Sequence, residues 1–253
     1  MRSRLLLIVA LALSACRSAP PYQGLEAADL HALAQREFEA GDYEEAARAL
    51  NRLFVAFPSY GRTVEARLLL ADAYFRDEQF ITATAEYRRF LDRFPTDPQA
   101  PVAALGLCLA SAATSPTIER DQSATEDAQL VCGNIALDYP GTPQGIEAGR
   151  IAGEMRKKLA EKLHTVAQYY FRRKFWDSSI VYWDMLEKQY PDTEFAPRAL
   201  FGIMQAYEEI GYQDLVAETR QRILETYPTS IEGRLLAGDS ATTATAGRSG
   251  GGL

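Results

Sequence analysis

The chain is poor in the residues that most chemistry needs. Three cysteines and two histidines stand among 253 residues. That is too few for a zinc ribbon, a Cys/His cluster or a disulfide framework. No glycine-rich phosphate loop appears, and no serine or cysteine stands in a nucleophile motif with a histidine. One Glu-x-x-His spacing runs from Glu161 to His164. A di-iron bundle needs two of these and two further carboxylates. We therefore expect no enzyme, no metal and no cofactor. Positive charge is short as well: 27 Lys and Arg face 34 Asp and Glu, a net charge of −7. That balance argues against nucleic acid as a partner. The apolar run 5–13 spans only about 13 Å as helix, far less than a hydrocarbon core of about 30 Å.

What is present begins with that run. "MRSRLLLIVALALSAC" has a basic start, an apolar centre and small residues before a cysteine, the pattern of a secretory signal. Leu13-Ser14-Ala15-Cys16 resembles the bacterial lipoprotein box at every position. The resemblance implies cleavage before Cys16 and lipid attachment on it. Acyl burial favours the membrane by about 0.8 kcal/mol per methylene, so two or three chains anchor durably. Arg17 follows in place of an aspartate that would resemble an inner-membrane retention signal, which points to the outer membrane. Removing residues 1–15 deletes Arg2 and Arg4 and no acid, so the mature charge is −9. We read 1–15 as signal peptide, 16–27 as a lipidated tether, 28–236 as the folded domain and 237–253 as a disordered tail of small polar residues.

The folded part is punctuated by five aromatic–proline pairs: Phe57-Pro58, Phe94-Pro95, Tyr139-Pro140, Tyr190-Pro191 and Tyr227-Pro228. The prolines are 37, 45, 51 and 37 residues apart. Between them, apolar residues recur at spacings of three and four, the signature of amphipathic helices. In the first unit the break falls at Gly41-Asp42, with Asp42 as N-cap of the second helix. Proline ends each unit because it cannot continue a helix and biases the residue before it out of the α region. The pattern resembles the tetratricopeptide repeat, with its proline at position 32. In that register Ala34, Ala46, Ala71, Ala83, Ala167 and Ser179 occupy the close-approach positions 8 and 20. Leu50, Tyr87 and Trp183 occupy position 24. The fifth repeat departs, with Met204, Val216 and Arg220 at positions 8, 20 and 24. The third fits if eight residues around "SPTIERDQ" are inserted in its turn. The fourth begins within one long helix capped by Thr142, with Pro143 at its first position. The expected fold is all-α: an α-solenoid of five tetratricopeptide-like helix pairs.

Such stacks present a concave face, lined by the first helix of each pair. The register assigns His31, Gln35, Phe38 and Glu39 to it in the first repeat, and Glu65, Leu68, Asp72, Phe75 and Arg76 in the second. The fourth offers Glu161, His164, Gln168, Phe171 and Arg172. Phe38, Phe75 and Phe171 share position 12. They are either anchors of a peptide groove or rings packed on a neighbouring element. Cys108 and Cys132 read first as small core residues, with pairing left open. The basic run Arg156, Lys157, Lys158, Lys162 and 172–174 is either a solvated face or a docking surface for an acidic partner.

The lipoprotein box, five repeats, Arg120-Asp121-Gln122 ahead of Ser123, Thr125 and Glu126, Tyr169-Tyr170 with Trp176, and "QYPDTEFAPRAL" at 189–200 together resemble the BamD family. Its members are the lipoprotein subunit of the outer-membrane β-barrel assembly machinery. The resemblance covers roughly 25–228 and the anchor. It implies a non-catalytic scaffold on the periplasmic face of the outer membrane. It implies docking of a periplasmic POTRA domain of the barrel subunit BamA through the C-terminal repeats, beside other assembly-complex lipoproteins. It also implies that the N-terminal repeats help receive unfolded outer-membrane β-barrel proteins. We expect the substrate groove at His31, Gln35, Phe38, Leu68, Asp72, Phe75 and Arg76, and partner docking near Phe171, Arg172 and Tyr182. The alternative is another tetratricopeptide lipoprotein, an adaptor for a pilus secretin or for cell-wall enzymes.

Overall fold

Residues 22 and 24–238 are described by a computed structural model of the chain. Ten bounded helices follow one another among them: α1 (Ala27–Ala40), α2 (Tyr43–Ala56), α3 (Thr63–Arg76), α4 (Phe80–Arg93), α5 (Ala100–Ala113), α6 (Ser123–Asp138), α7 (Pro143–Arg172), α8 (Trp176–Gln189), α9 (Phe195–Ile210) and α10 (Gln213–Thr226). Residues 231–238 are helical too, and no strand occurs among the described residues. The all-α class and the five helix pairs are as expected. The chain divides into two compact units at Gly106 and Leu107, within α5.

Four of the five pairs turn in the same way. After α1, Gly41 adopts φ 85°, its N–H bonds Phe38 O, and Asp42 N–H bonds Glu37 O. After α9, Gly211 and Tyr212 bond Glu208 O and Tyr207 O in the same pattern. This left-handed cap satisfies carbonyls that the helix end leaves bare. Glycine carries it without strain. After α3 and α7 the same turn is made by Glu78 (φ 58°) and Lys174 (φ 63°). The third pair has no such turn. Its helices are joined by the longer segment 114–122, where the extra residues were expected. Asp42 caps α2 by accepting from Glu45 N–H at 3.0 Å. Thr142 caps the 30-residue α7 by accepting from Gly145 N–H, with Pro143 in the first turn.

The aromatic–proline pairs also share one geometry. Phe57, Phe94, Tyr139, Tyr190 and Tyr227 each cap a second helix at φ between −133° and −122° and ψ between 48° and 66°. Each donates its N–H to the carbonyl four residues back at 2.8–3.1 Å. Each carbonyl then accepts from the N–H three residues on, closing a turn into the next helix. Proline removes the donor that would have extended the helix.

Within the pairs, the close-approach positions are sealed: Ala34, Ala46, Ala71, Ala83, Ala167 and Ser179 have no exposed surface. Between pairs, a large ring meets a glycine. A Cβ on Gly106 would lie 2.4 Å from the Tyr87 ring, and one on Gly202 would lie 2.6 Å from the Trp183 ring. Tyr87 and Trp183 both stand at position 24, and each glycine stands at position 6 of the next repeat. Cys108 and Cys132 are joined by a disulfide, with Cα atoms 4.8 Å apart. In the atypical fifth repeat, Arg220 donates to Leu236 O at 2.9 Å, and Leu236 is buried in the core of the second unit. Thus 231–238 packs against the last repeat. Its residues 237 and 238 extend the helix into the expected tail. Tyr22, within the expected tether, packs on the first core and hydrogen-bonds Glu45. Residues 1–21, 23 and 239–253, which include the expected signal, Cys16 and most of the expected tail, lie outside the described residues.

Glycine inside a helix normally costs about 1 kcal/mol relative to alanine. At Gly202 the ring reverses that sign. Gly202→Ala is expected to lower stability by about 1–3 kcal/mol, the usual cost of overpacking, in urea unfolding. The cost should shrink when Trp183 is also replaced by leucine. Cutting the disulfide with the Cys108→Ala, Cys132→Ala pair should remove about 3.5 kcal/mol, by the chain-entropy scale for cysteines 24 residues apart. Added reductant should then leave the double variant's midpoint unmoved.

Candidate functional site

In the first unit, α1 and α3 border a cavity of about 200 Å³. Its lining is His31, Gln35, Glu65, Leu68, Leu69, Asp72 and Gln99. The helices place them by period: His31 and Gln35 are one turn apart on α1, and Glu65, Leu68 and Asp72 follow at spacings of three and four on α3. His31 is 1% exposed. Its Nδ1 lies 3.1 Å from the Tyr60 hydroxyl, and its ring meets the Tyr60 ring edge-on at 5.6 Å. Its Nε2 is buried without a hydrogen-bond partner, as is Oε1 of Gln99. Burial chiefly, with Arg62 adding, lowers the pKa of His31, while Glu65 works against that. The ring is therefore neutral near pH 7. Asp72 accepts from the Tyr87 hydroxyl at 2.5 Å. Burial raises its carboxyl above the ordinary range, opposed by Tyr87 and by Arg76.

Four residues expected in the groove, His31, Gln35, Leu68 and Asp72, are brought together here. Leu69 and Gln99 join them; neither stands at a groove position of the repeat. Arg76 is exposed one turn beyond Asp72. Phe38 and Phe75 are not among the lining residues. Each meets, edge-on, the aromatic that opens the second helix of its own pair: Phe38 on Tyr43 at 5.2 Å and Phe75 on Phe80 at 5.6 Å. An aromatic five residues downstream was the signal for this pairing.

Residues 24–223 match the family described as "YfiO: Outer membrane lipoprotein". The chain belongs to this family. Among its relatives, the outer membrane protein assembly factor BamD of Vibrio cholerae is 25% identical over 217 residues, covering 81% of this chain and 90% of that protein. BamD of Neisseria meningitidis serogroup A is 26% identical over 238 residues, covering 87% and 89%. Among solved structures, the TPR2AB domain of yeast Sti1 in its pHSP90 complex aligns with a TM-score of 0.46 at 11% identity, over 88% of this chain and 86% of that chain.

In this YfiO-family chain, the C-terminal unit carries the other expected residues. Phe171 repeats the edge-on pairing, meeting Trp176 at 4.9 Å, and also contacts Trp183 at 5.4 Å within the core. Tyr182 stacks on Tyr170 at 5.3 Å. Arg172 is exposed. Close by, Lys174, Phe175, Trp176, Asp177, Ser178, Ile210 and Tyr212 line an open depression of about 410 Å³. Phe175 and Tyr212 are more than half exposed there. The basic run is largely engaged within the unit: Arg156 with Asp192, Lys157 with Glu194, Lys158 with Ser115 and Lys162 with the Arg120 carbonyl. His164 accepts from Trp183 Nε1–H at 3.2 Å through Nδ1, and its Nε2 lies 2.9 Å from the side-chain amide of Gln168. Burial, then Arg198, lowers its pKa. The imidazole is held by packing, and among the described residues no three His, Cys, Asp or Glu side chains converge on a metal position.

A histidine held neutral has a folded pKa below its unfolded value of about 6.5. The unfolded chain then binds more protons below that pH, so stability falls as pH falls. Acidification from pH 7 to 5 is expected to lower the urea midpoint of the chain. His31→Gln should flatten the slope, by up to about 1.4 kcal/mol per pH unit for one proton.

Proposed function

We propose that this chain is a non-catalytic scaffold for outer-membrane protein assembly, held by lipid on Cys16 at the periplasmic face of the outer membrane. The observation that carries this reading is the family match over 24–223, with BamD relatives aligned over nine-tenths of their length. The N-terminal repeats help receive unfolded β-barrel proteins. In support, the cavity between α1 and α3 sets the apolar Leu68 and Leu69 beside a few polar side chains, as ligand-binding clefts do. The C-terminal repeats dock a POTRA domain of BamA, beside other lipoproteins of the complex. In support, exposed Phe175 and Tyr212 flank the depression in that unit, and aromatic anchors of this kind dominate protein interfaces. The position-12 rings stabilise the repeats, and the polar residues of the next turns face the ligand.

Isolation of the tagged chain from detergent-solubilised outer membrane is expected to recover BamA. Recovery of other proteins without BamA overturns the reading. Cys16→Ser is expected to abolish palmitate labelling and to shift the chain out of the outer-membrane fraction.

A further inference from the structure

We infer that the turn between α7 and α8 is a docking surface for an acidic segment of a partner protein. The segment's carboxylates meet Arg172 and Lys174, and an apolar side chain beside them enters the depression between Phe175 and Tyr212. The inference rests on the C-terminal repeats being the docking end, and adds the chemistry that is read there.

The basic run divides in two. From Arg156 to Lys162 its side chains have partners inside the unit, as Arg156 has Asp192 and Lys157 has Glu194. Arg172, Arg173 and Lys174 are consecutive and exposed. Arg173 lies over the Tyr169 ring at 4.4 Å. Arg172 and Lys174 make neither an ion pair nor a side-chain hydrogen bond among the described residues. Lys174 also lines the depression. In a chain of net charge −7, this turn carries a local field of the opposite sign, which draws an anionic group to it.

The rings beside it break a local preference twice. Phe175 and Tyr212 stand at the N-caps of α8 and α10. Asp42 fills the same place before α2 and caps that helix with its side chain. A phenyl or phenol ring at Phe175 or Tyr212 supplies no such bond. Neither ring is buried in exchange, for Phe175 is 57% exposed and Tyr212 54%. Sequences depart from local preference in this way at sites kept for binding. The rings are also held in place: Phe175 meets Tyr170 edge-on and Tyr212 tilts against Tyr207, each at 6.4 Å. The depression they flank, about 410 Å³, equals the space of about fourteen waters at roughly 30 Å³ each. That admits a large apolar side chain. Rigid aromatic rings around a pocket, with charge at its rim, are the usual centre of a protein interface.

The acids nearby select the occupant. Asp177 lines the depression from the first turn of α8, where an acid suits the helix dipole. Glu208 and Glu209 are exposed at the end of α9, next to Ile210 of the lining. A continuous anionic surface, such as a layer of phospholipid headgroups, would meet these carboxylates together with the cations. A peptide segment can set its own carboxylates on the Arg172 and Lys174 side alone. The arrangement therefore favours a protein segment over a membrane.

The test uses the full lipoprotein in detergent, with the purified periplasmic part of BamA as probe, titrated at low and at high salt. Arg172→Glu with Lys174→Glu, exposed changes that spare the fold, is expected to weaken binding about tenfold or more at low salt and to flatten its salt dependence. Phe175→Ala with Tyr212→Ala is expected to weaken it about as much and to leave the salt dependence as it was. Arg52→Glu with Arg88→Glu, the same change of charge on exposed residues of the other unit, should leave binding unchanged. Urea midpoints equal to the parent's check that each variant is folded. If the probe binds and the reversal at 172 and 174 does no more than the control reversal, the inference fails while the docking reading stands. If the probe does not bind the unaltered chain, the docking reading fails and the inference with it. Two further results overturn the inference. One is attachment of the Cys16→Ser chain to vesicles of anionic phospholipid that the reversal abolishes, which makes the turn a membrane contact. The other is self-association that the reversal abolishes, which makes it a contact between copies.

Discussion

A helix that meets an aromatic–proline pair has to stop, and this chain makes that stop five times in one geometry. The aromatic N–H closes the last helical bond, the proline lacks the N–H to make the next, and the aromatic carbonyl turns the chain into the following helix. The stop therefore sets where each repeat ends and the rotation at which the next helix leaves. From that rotation follow the sealed alanines at the helix crossings and the rings of Tyr87 and Trp183 lying over Gly106 and Gly202. Each is a contact that tolerates no displacement of a few ångströms.

The turn inside each pair imposes a second constraint. The left-handed residue after the first helix brings position 12 beside the first aromatic of the second helix. Phe38, Phe75 and Phe171 consequently meet Tyr43, Phe80 and Trp176 with nearly the same edge-on inclination, 62–65°. Each of these rings is held by its partner across the turn. On the turns above it, at positions 2, 5 and 9, the first unit gathers His31, Gln35, Glu65, Leu68 and Asp72 around one cavity.

Much of this was legible because short-range rules govern it. Proline spacing, the Gly41-Asp42 break, the Thr142 cap and the small residues at the crossings each depend on neighbours within a turn or two. The candidate site was legible in part for the same reason, since a known register assigns faces. Gln99 and Leu69 were not, because a residue from a connecting segment and one from an off-face position reach the cavity only after the helices have packed. Glu78 and Lys174 escaped notice as left-handed residues because their side chains give no local signal for that conformation. The basic run looked like a free surface until Asp192, Glu194, Ser115 and the Arg120 carbonyl were found beside it.

The amino-acid sequence by itself determined the all-α class, the number of repeats, their register and the family resemblance. These rest on periodicity and on backbone limits that hold wherever the residues stand. Tertiary structure alone decided that Cys108 and Cys132 pair, that the phenylalanines meet the aromatic opening the next helix edge-on, and that His31 is buried with one nitrogen unmatched. Those outcomes depend on distances between residues far apart in the chain, and such distances exist only once the helices have packed.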